Sequence, residues 1–76
     1  MSAADQTLDA RGLSCPLPVL RTRKALNAMS AGQTLEVIAT DRGFVKDIGS
    51  FCQQTGNDLV SAREENNAHV FVIRKS

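Results

Sequence analysis

The segment Gly12-Leu13-Ser14-Cys15-Pro16-Leu17-Pro18 holds the residues best suited to chemistry. Proline favours the first helical position, so the spacing predicts Pro16 at N1, Pro18 at N3 and Cys15 at the N-cap. The N–H groups there have no intrahelical partner, so two prolines cost no helical hydrogen bond. They stiffen the turn and leave the N–H groups of Cys15 and Leu17 as its free donors. Cysteine is a poor N-cap beside serine or aspartate, and this local misfit points to function. The positive end of the helix dipole favours an anion. Arg11, Arg21, Arg23 and Lys24 outnumber Asp9 nearby. Both effects predict a thiol pKa below the ordinary cysteine value, and they would stabilise a persulfide in the same way. The expected group is a nucleophilic, sulfur-accepting Cys15 on a turn near solvent, supported by Gly12, Pro16, Leu17 and Pro18. The competing reading is a small buried hydrophobe. Arg21, Arg23 and Lys24 are read either as a solvated helix face or as a docking patch for acidic partner surfaces.

Other chemistries find little support. The chain has no C-x-x-C pair for a dithiol. Its one histidine, His69, is far along the sequence and reads as a strand surface residue. Two cysteines and one histidine lack zinc-site spacing, and no phosphate-binding glycine motif is present. Cys52 shares helical spacing with Val45 and Ile48 and reads as core. Asp41 reads as a helix cap, Asp47 as a surface charge, and Phe44, Phe51 and Phe71 as core. No metal or organic cofactor is expected.

The positioning elements follow from periodicity. Gln6 to Arg11 alternates, with Leu8 and Ala10 on one face, and predicts a strand. Residues 16–30 predict a helix, with Val19, Leu26 and Met29 inward, supported by Leu20 and Ala25, and Gly32 as terminator. Thr34 to Thr40 predicts a second strand with Leu35, Val37 and Ala39 on one face. Phe44, Ile48 and Phe51 mark a second helix that ends at Gly56-Asn57. Leu59 to Arg63 and Val70 to Ile73 predict two last strands around a turn at Glu64-Glu65-Asn66-Asn67. The order β-α-β-α-β-β implies an α/β (α+β) two-layer sandwich. It predicts a four-stranded mixed sheet with a parallel first pair, a terminal hairpin and both helices on one face.

The chain has 76 residues, which fits one domain, with residues 1–5 expected as a flexible tail. A net charge of +1 and the absence of Tyr and Trp argue against a nucleic-acid surface. No apolar run reaches membrane-spanning length, and the start shows no signal peptide, so a cytoplasmic location is expected.

Leu8-Asp9-Ala10-Arg11-Gly12-Leu13-Ser14-Cys15-Pro16-Leu17-Pro18 resembles the start of the TusA/SirA family of small sulfur-carrier proteins. The hallmark is Cys-Pro-x-Pro after an L-D-x-x-G-L segment. The likeness continues through Arg23-Lys24, Met29, Gly32, Asp41, Lys46-Asp47-Ile48, Phe51-Cys52 and the Val70-to-Lys75 strand. It implies a fold like the C-terminal domain of translation initiation factor 3. It also implies that Cys15 carries a persulfide between proteins. The implied donor is a cysteine desulfurase or rhodanese-like protein. The implied acceptor has a reactive cysteine and serves tRNA thiolation, molybdenum-cofactor assembly or sulfur oxidation. Leu17 stands where a well-known tRNA-thiolating branch has glutamate, which bears on that one role. A carrier is expected to remain monomeric. The rival reading is a non-enzymatic RNA-binding or regulatory module. A thiol redox sensor would need Cys52 as its resolving partner.

Overall fold

A computed structural model describes residues 4–76. The elements run β1 (Gln6–Ala10), α1 (Leu17–Asn27), β2 (Thr34–Ala39), α2 (Arg42–Thr55), β3 (Asp58–Glu65) and β4 (Ala68–Arg74). The sheet order is β1-β2-β4-β3. β1 pairs with β2 in parallel, Leu8 opposite Val37 and Ala10 opposite Ala39. β4 lies antiparallel to both β2 and β3. The α+β architecture expected from the periodicity is therefore present, with two helices and a mixed four-stranded sheet.

Alternation decides which face of the sheet the helices cover. Leu35, Val37 and Ala39 on β2 and Phe71 and Ile73 on β4 point into one core with Ala10 of β1. Leu26 and Met29 from the α1 side and Phe44, Ile48, Phe51 and Cys52 from α2 close that core. Each large side chain fully buried there contributes about 1.5–3 kcal/mol. The Phe44 and Phe71 rings meet edge to face, centroids 5.4 Å apart, and lock α2 to β4. On the opposite face Arg63 reaches from β3 across β4 to Glu36 on β2, 3.3 Å away.

The loops follow from local residue chemistry. The β3–β4 hairpin turns through Asn66 and Asn67, with φ of 50° and 64°. Two successive positive φ values suit a two-residue hairpin loop, and asparagine tolerates them better than most residues. α2 ends as expected at Gly56, whose left-handed φ of 78° lets its N–H donate to the Cys52 carbonyl at 3.0 Å.

Several expectations need correction. α1 starts at Leu17 and stops at Asn27, and Ala28 is its C-cap. Gly32 lies farther on, where its N–H donates to the Lys75 carbonyl at 2.8 Å. The end of α1 is held instead by Lys75, whose Nζ donates to the Leu26 carbonyl at 2.7 Å. The inward stripe of α1 is Pro18, Thr22 and Leu26. Leu20 is exposed, and so is Val45 on α2. Thr22 was hidden from a hydrophobic pattern because it is polar. Its hydroxyl donates to the Pro18 carbonyl at 2.8 Å, which removes the penalty of burial. Of the expected tail, residues 1–3 lie outside the described residues. Asp5 is tied down, because its carboxylate accepts the Thr34 N–H at 2.8 Å.

Candidate functional site

The site begins where β1 runs out. Gly12 adopts φ 80°, which only glycine takes readily, and its N–H donates to Thr40 Oγ1 at 3.0 Å. This contact fastens the loop to the end of β2. Leu13 N–H donates to the Ala10 carbonyl at 3.3 Å and tightens the turn. The chain then passes Ser14 and Cys15, the Cys15–Pro16 bond being cis.

The helix start is shifted by one residue from the expectation. Pro16 is the N-cap, Leu17 opens the helix and Pro18 follows. Cys15 therefore stands just before the cap. Leu17 N–H is also not a free donor, since it gives its hydrogen to the Ser14 carbonyl at 3.0 Å. Pro18 is buried in the core, while Pro16 and the Leu17 side chain are exposed.

Cys15 is exposed on its turn. Its partner comes from the second helix. The thiol donates to Asp47 Oδ2 at 3.4 Å. Residues 15 and 47 meet because Ile48, fully buried, pins α2 to the sheet and leaves Asp47 at the helix surface beside the loop. Asp41, at the N-cap of α2, does not hydrogen-bond its own helix through its side chain. Its Oδ2 is buried without a hydrogen-bond partner among the described residues.

These acids reverse the expected titration of Cys15. The hydrogen bond to Asp47 pushes the thiol pKa above its ordinary value, with desolvation and the Asp47 and Asp41 charges acting in the same direction. The supposed basic excess fails for a local reason. Arg11 is engaged by Asp9 through two 2.9 Å contacts, and that pairing lowers the Asp9 carboxyl to about 2. The resting site therefore favours the protonated thiol.

A shallow depression of about 270 Å³ opens at Cys15, lined by Val19, Arg23, Asp47, Ser50 and Phe51 among others. The Arg23 guanidinium stands 5.6 Å from the Phe51 ring centre. Of the three candidate docking cations, Arg23 shares this depression with the cysteine. Arg21 and Lys24 line a separate one with Leu8, Leu20, Ala25 and Ala28. Cys52 is buried, and burial pushes its thiol pKa up. His69 lies half-buried on β4, 3.7 Å from Glu64. Sequence reasoning, which read Asp47 as a surface charge, missed its contact with the cysteine. That contact spans 32 positions and depends on how the two helices pack.

The family described as Sulfurtransferase TusA matches residues 6–75. The chain belongs to the TusA family. The Sulfur carrier protein TusA of Allochromatium vinosum is 58% identical over the full length of both chains. The Sulfur carrier protein TusA of Pseudomonas entomophila is 44% identical over 93% of this chain and 89% of its own. The crystal structure of the SirA-like protein from Desulfitobacterium hafniense superposes with a TM-score of 0.81 at 25% identity, covering 91% of this chain and 95% of that one. Within this TusA-family fold, no cluster of three or more His, Cys, Asp or Glu residues able to hold a metal occurs among the described residues. No helix among them is long and apolar enough to cross a membrane.

Proposed function

We propose that this chain is a sulfurtransferase of the relay kind. It accepts a sulfane sulfur as a persulfide on Cys15 and passes it to the thiol of an acceptor protein. The observation that supports this reading is an exposed Cys15 in the Cys-Pro-Leu-Pro loop of a chain whose curated relatives are named sulfur carrier proteins. Transfer between two cysteines requires contact at the sulfur atoms, and a thiol at a loop tip permits it.

The docking surface in this reading is the α1 face around the cysteine. Leu17 and Leu20 stay exposed at 44% and 52%, and Arg23 stands at the edge of the depression. Apolar contacts next to a cation suit brief association with an acidic rim. Arg21 and Lys24 line a separate depression on α1 together with Leu20, and add positive charge around the helix from Arg23. The donor is a cysteine desulfurase or rhodanese-like protein carrying a persulfide. The acceptor is a protein with a reactive cysteine in tRNA thiolation, molybdenum-cofactor assembly or sulfur oxidation. The chain works as one monomeric domain in the cytoplasm, binds no nucleic acid directly, and needs no cofactor of its own.

Intact-protein mass after incubation with a cysteine desulfurase and cysteine tests the reading, with rhodanese and polysulfide donors in parallel. Wild type and Cys52→Ser gain one reductant-sensitive sulfur atom, and Cys15→Ser gains none. Failure of every donor to load Cys15 would sink the carrier reading and favour an interaction module.

A further inference from the structure

Loading an exposed thiol whose hydrogen is directed at a carboxylate 3.4 Å away poses a chemical problem. The nucleophile is the thiolate, and Cys15 must lose its proton in the encounter with its donor. Three charged groups face it. Asp47 on α2 accepts its hydrogen bond at 3.4 Å. Asp41 at the start of α2 adds a second negative charge whose Oδ2 has no hydrogen-bond partner among the described residues. Arg23 on α1 lines the same depression. Only Asp47 touches the thiol as an acceptor. It is half-buried, on a helix that the fully buried Ile48 anchors to the core.

We propose that Asp47 is the proton-transfer residue of sulfur loading: it takes the Cys15 proton as the sulfur attacks and returns it to the thiolate that leaves the donor. The inference rests on the sulfur-carrier reading. In the step, Cys15 Sγ forms a bond to the terminal sulfur of a donor persulfide, R–S–SH. The bond between that sulfur and R–S breaks, and its electron pair leaves on R–S. The Cys15 proton passes to Asp47 and then to R–S⁻. The balance is Cys15–SH + R–S–SH → Cys15–S–SH + R–SH, with no outside oxidant or reductant.

The arrangement has a use beyond the transfer itself. A protonated thiol reacts slowly with oxidants and alkylating agents, so an exposed carrier cysteine is protected between encounters. The same carboxylate that holds the proton can remove it when a donor sulfur arrives. Asp47 is thus both the brake on casual reaction and the base for the productive one.

Two readouts of opposite sign test this. In Asp47→Asn the negative charge and the basicity are lost while an amide remains. Alkylation of Cys15 by iodoacetamide needs only thiolate, so across neutral pH it becomes faster than in wild type, its pH profile moving to lower pH. Loading from cysteine persulfide, followed by intact mass, becomes slower by at least about ten-fold. Asp47→Glu recovers part of the loading rate. Should Asp47→Asn fail to fold by circular dichroism, Asp47→Ser takes its place with the same two expectations. Loading as fast as wild type or faster in the folded variant overturns the proton-transfer role and leaves Asp47 as an electrostatic brake only. No loading of wild type by any sulfur donor overturns the carrier reading and this inference with it.

Discussion

Replacing Phe51 by leucine and Arg23 by glutamine, singly and together, probes the wall that joins the core to the cysteine. Phe51 is 6% exposed, so its ring belongs to the core. It also lines the depression at Cys15 and lies 5.6 Å beneath the Arg23 guanidinium. Leucine keeps the site apolar but leaves part of the ring volume empty. That loss should be about 1–2 kcal/mol, below the ~3–5 of complete truncation to alanine. The cation–ring contact adds about 0.5–1 kcal/mol, the range for sites near solvent. Phe51→Leu should therefore lose about 1.5–3 kcal/mol in all. At roughly 4–8 °C per kcal/mol for a domain of this size, the midpoint falls by about 6–24 °C. Arg23→Gln alone should cost about 0.5–1 kcal/mol, and the double variant less than the sum by the same amount. Urea and thermal unfolding followed by circular dichroism are the assays, because the chain has no Trp or Tyr to report by fluorescence. A coupling indistinguishable from zero would refute the ring contact as an energetic link. A Phe51→Leu loss well under 1 kcal/mol would refute its place in the core.

Three further outcomes follow from named contacts. Lys75→Met removes the 2.7 Å hydrogen bond to the Leu26 carbonyl at the end of α1 and should cost about 1 kcal/mol in urea unfolding. Cys52→Ser places a hydroxyl in the core and should lower stability by about 1–3 kcal/mol, while Cys15 still accepts sulfur by intact mass. Carbon-detected NMR should find the Asp9 carboxyl titrating near 2, and Arg11→Gln should raise it part of the way toward the usual carboxylate range, since the residue-11 N–H still donates to it. Because the folded value is depressed, the Asp9 contribution to stability is present above the unfolded value of about 3.9 and is lost as pH falls through the folded one.

What the sequence made legible was periodic or motif-bound. Leu35, Val37 and Ala39 announce β2 by strict alternation, and Gly56-Asn57 announces the end of α2. Cys15 was readable because prolines and a glycine surround a residue type that caps helices badly. The boundary of α1 was less readable, since two prolines fit more than one register at a helix start. Thr22 escaped because a buried hydroxyl satisfied by its own helix leaves no hydrophobic mark. β3 could be read only weakly, because as an edge strand it is exposed along its whole length. The electrostatics of Cys15 were misjudged because the count of nearby charges followed the chain. In space Arg11 is taken up by Asp9, and the nearest charge to the thiol arrives from α2. Helix-dipole reasoning treats the cap alone, and here the cap is Pro16, one residue past the cysteine, while a carboxylate is in contact with the sulfur.

The central claim, that Cys15 receives sulfur and gives it up again, is tested most directly by following one sulfur through both steps. The protein is loaded with isotopically labelled sulfane sulfur, freed of donor, and mixed with an acceptor protein bearing a reactive cysteine. Peptide mass spectrometry then locates the label. The account predicts label on Cys15 before mixing, and its appearance on the acceptor cysteine as it leaves Cys15. Label found on Cys52, or transfer that proceeds undiminished in Cys15→Ser, would contradict it.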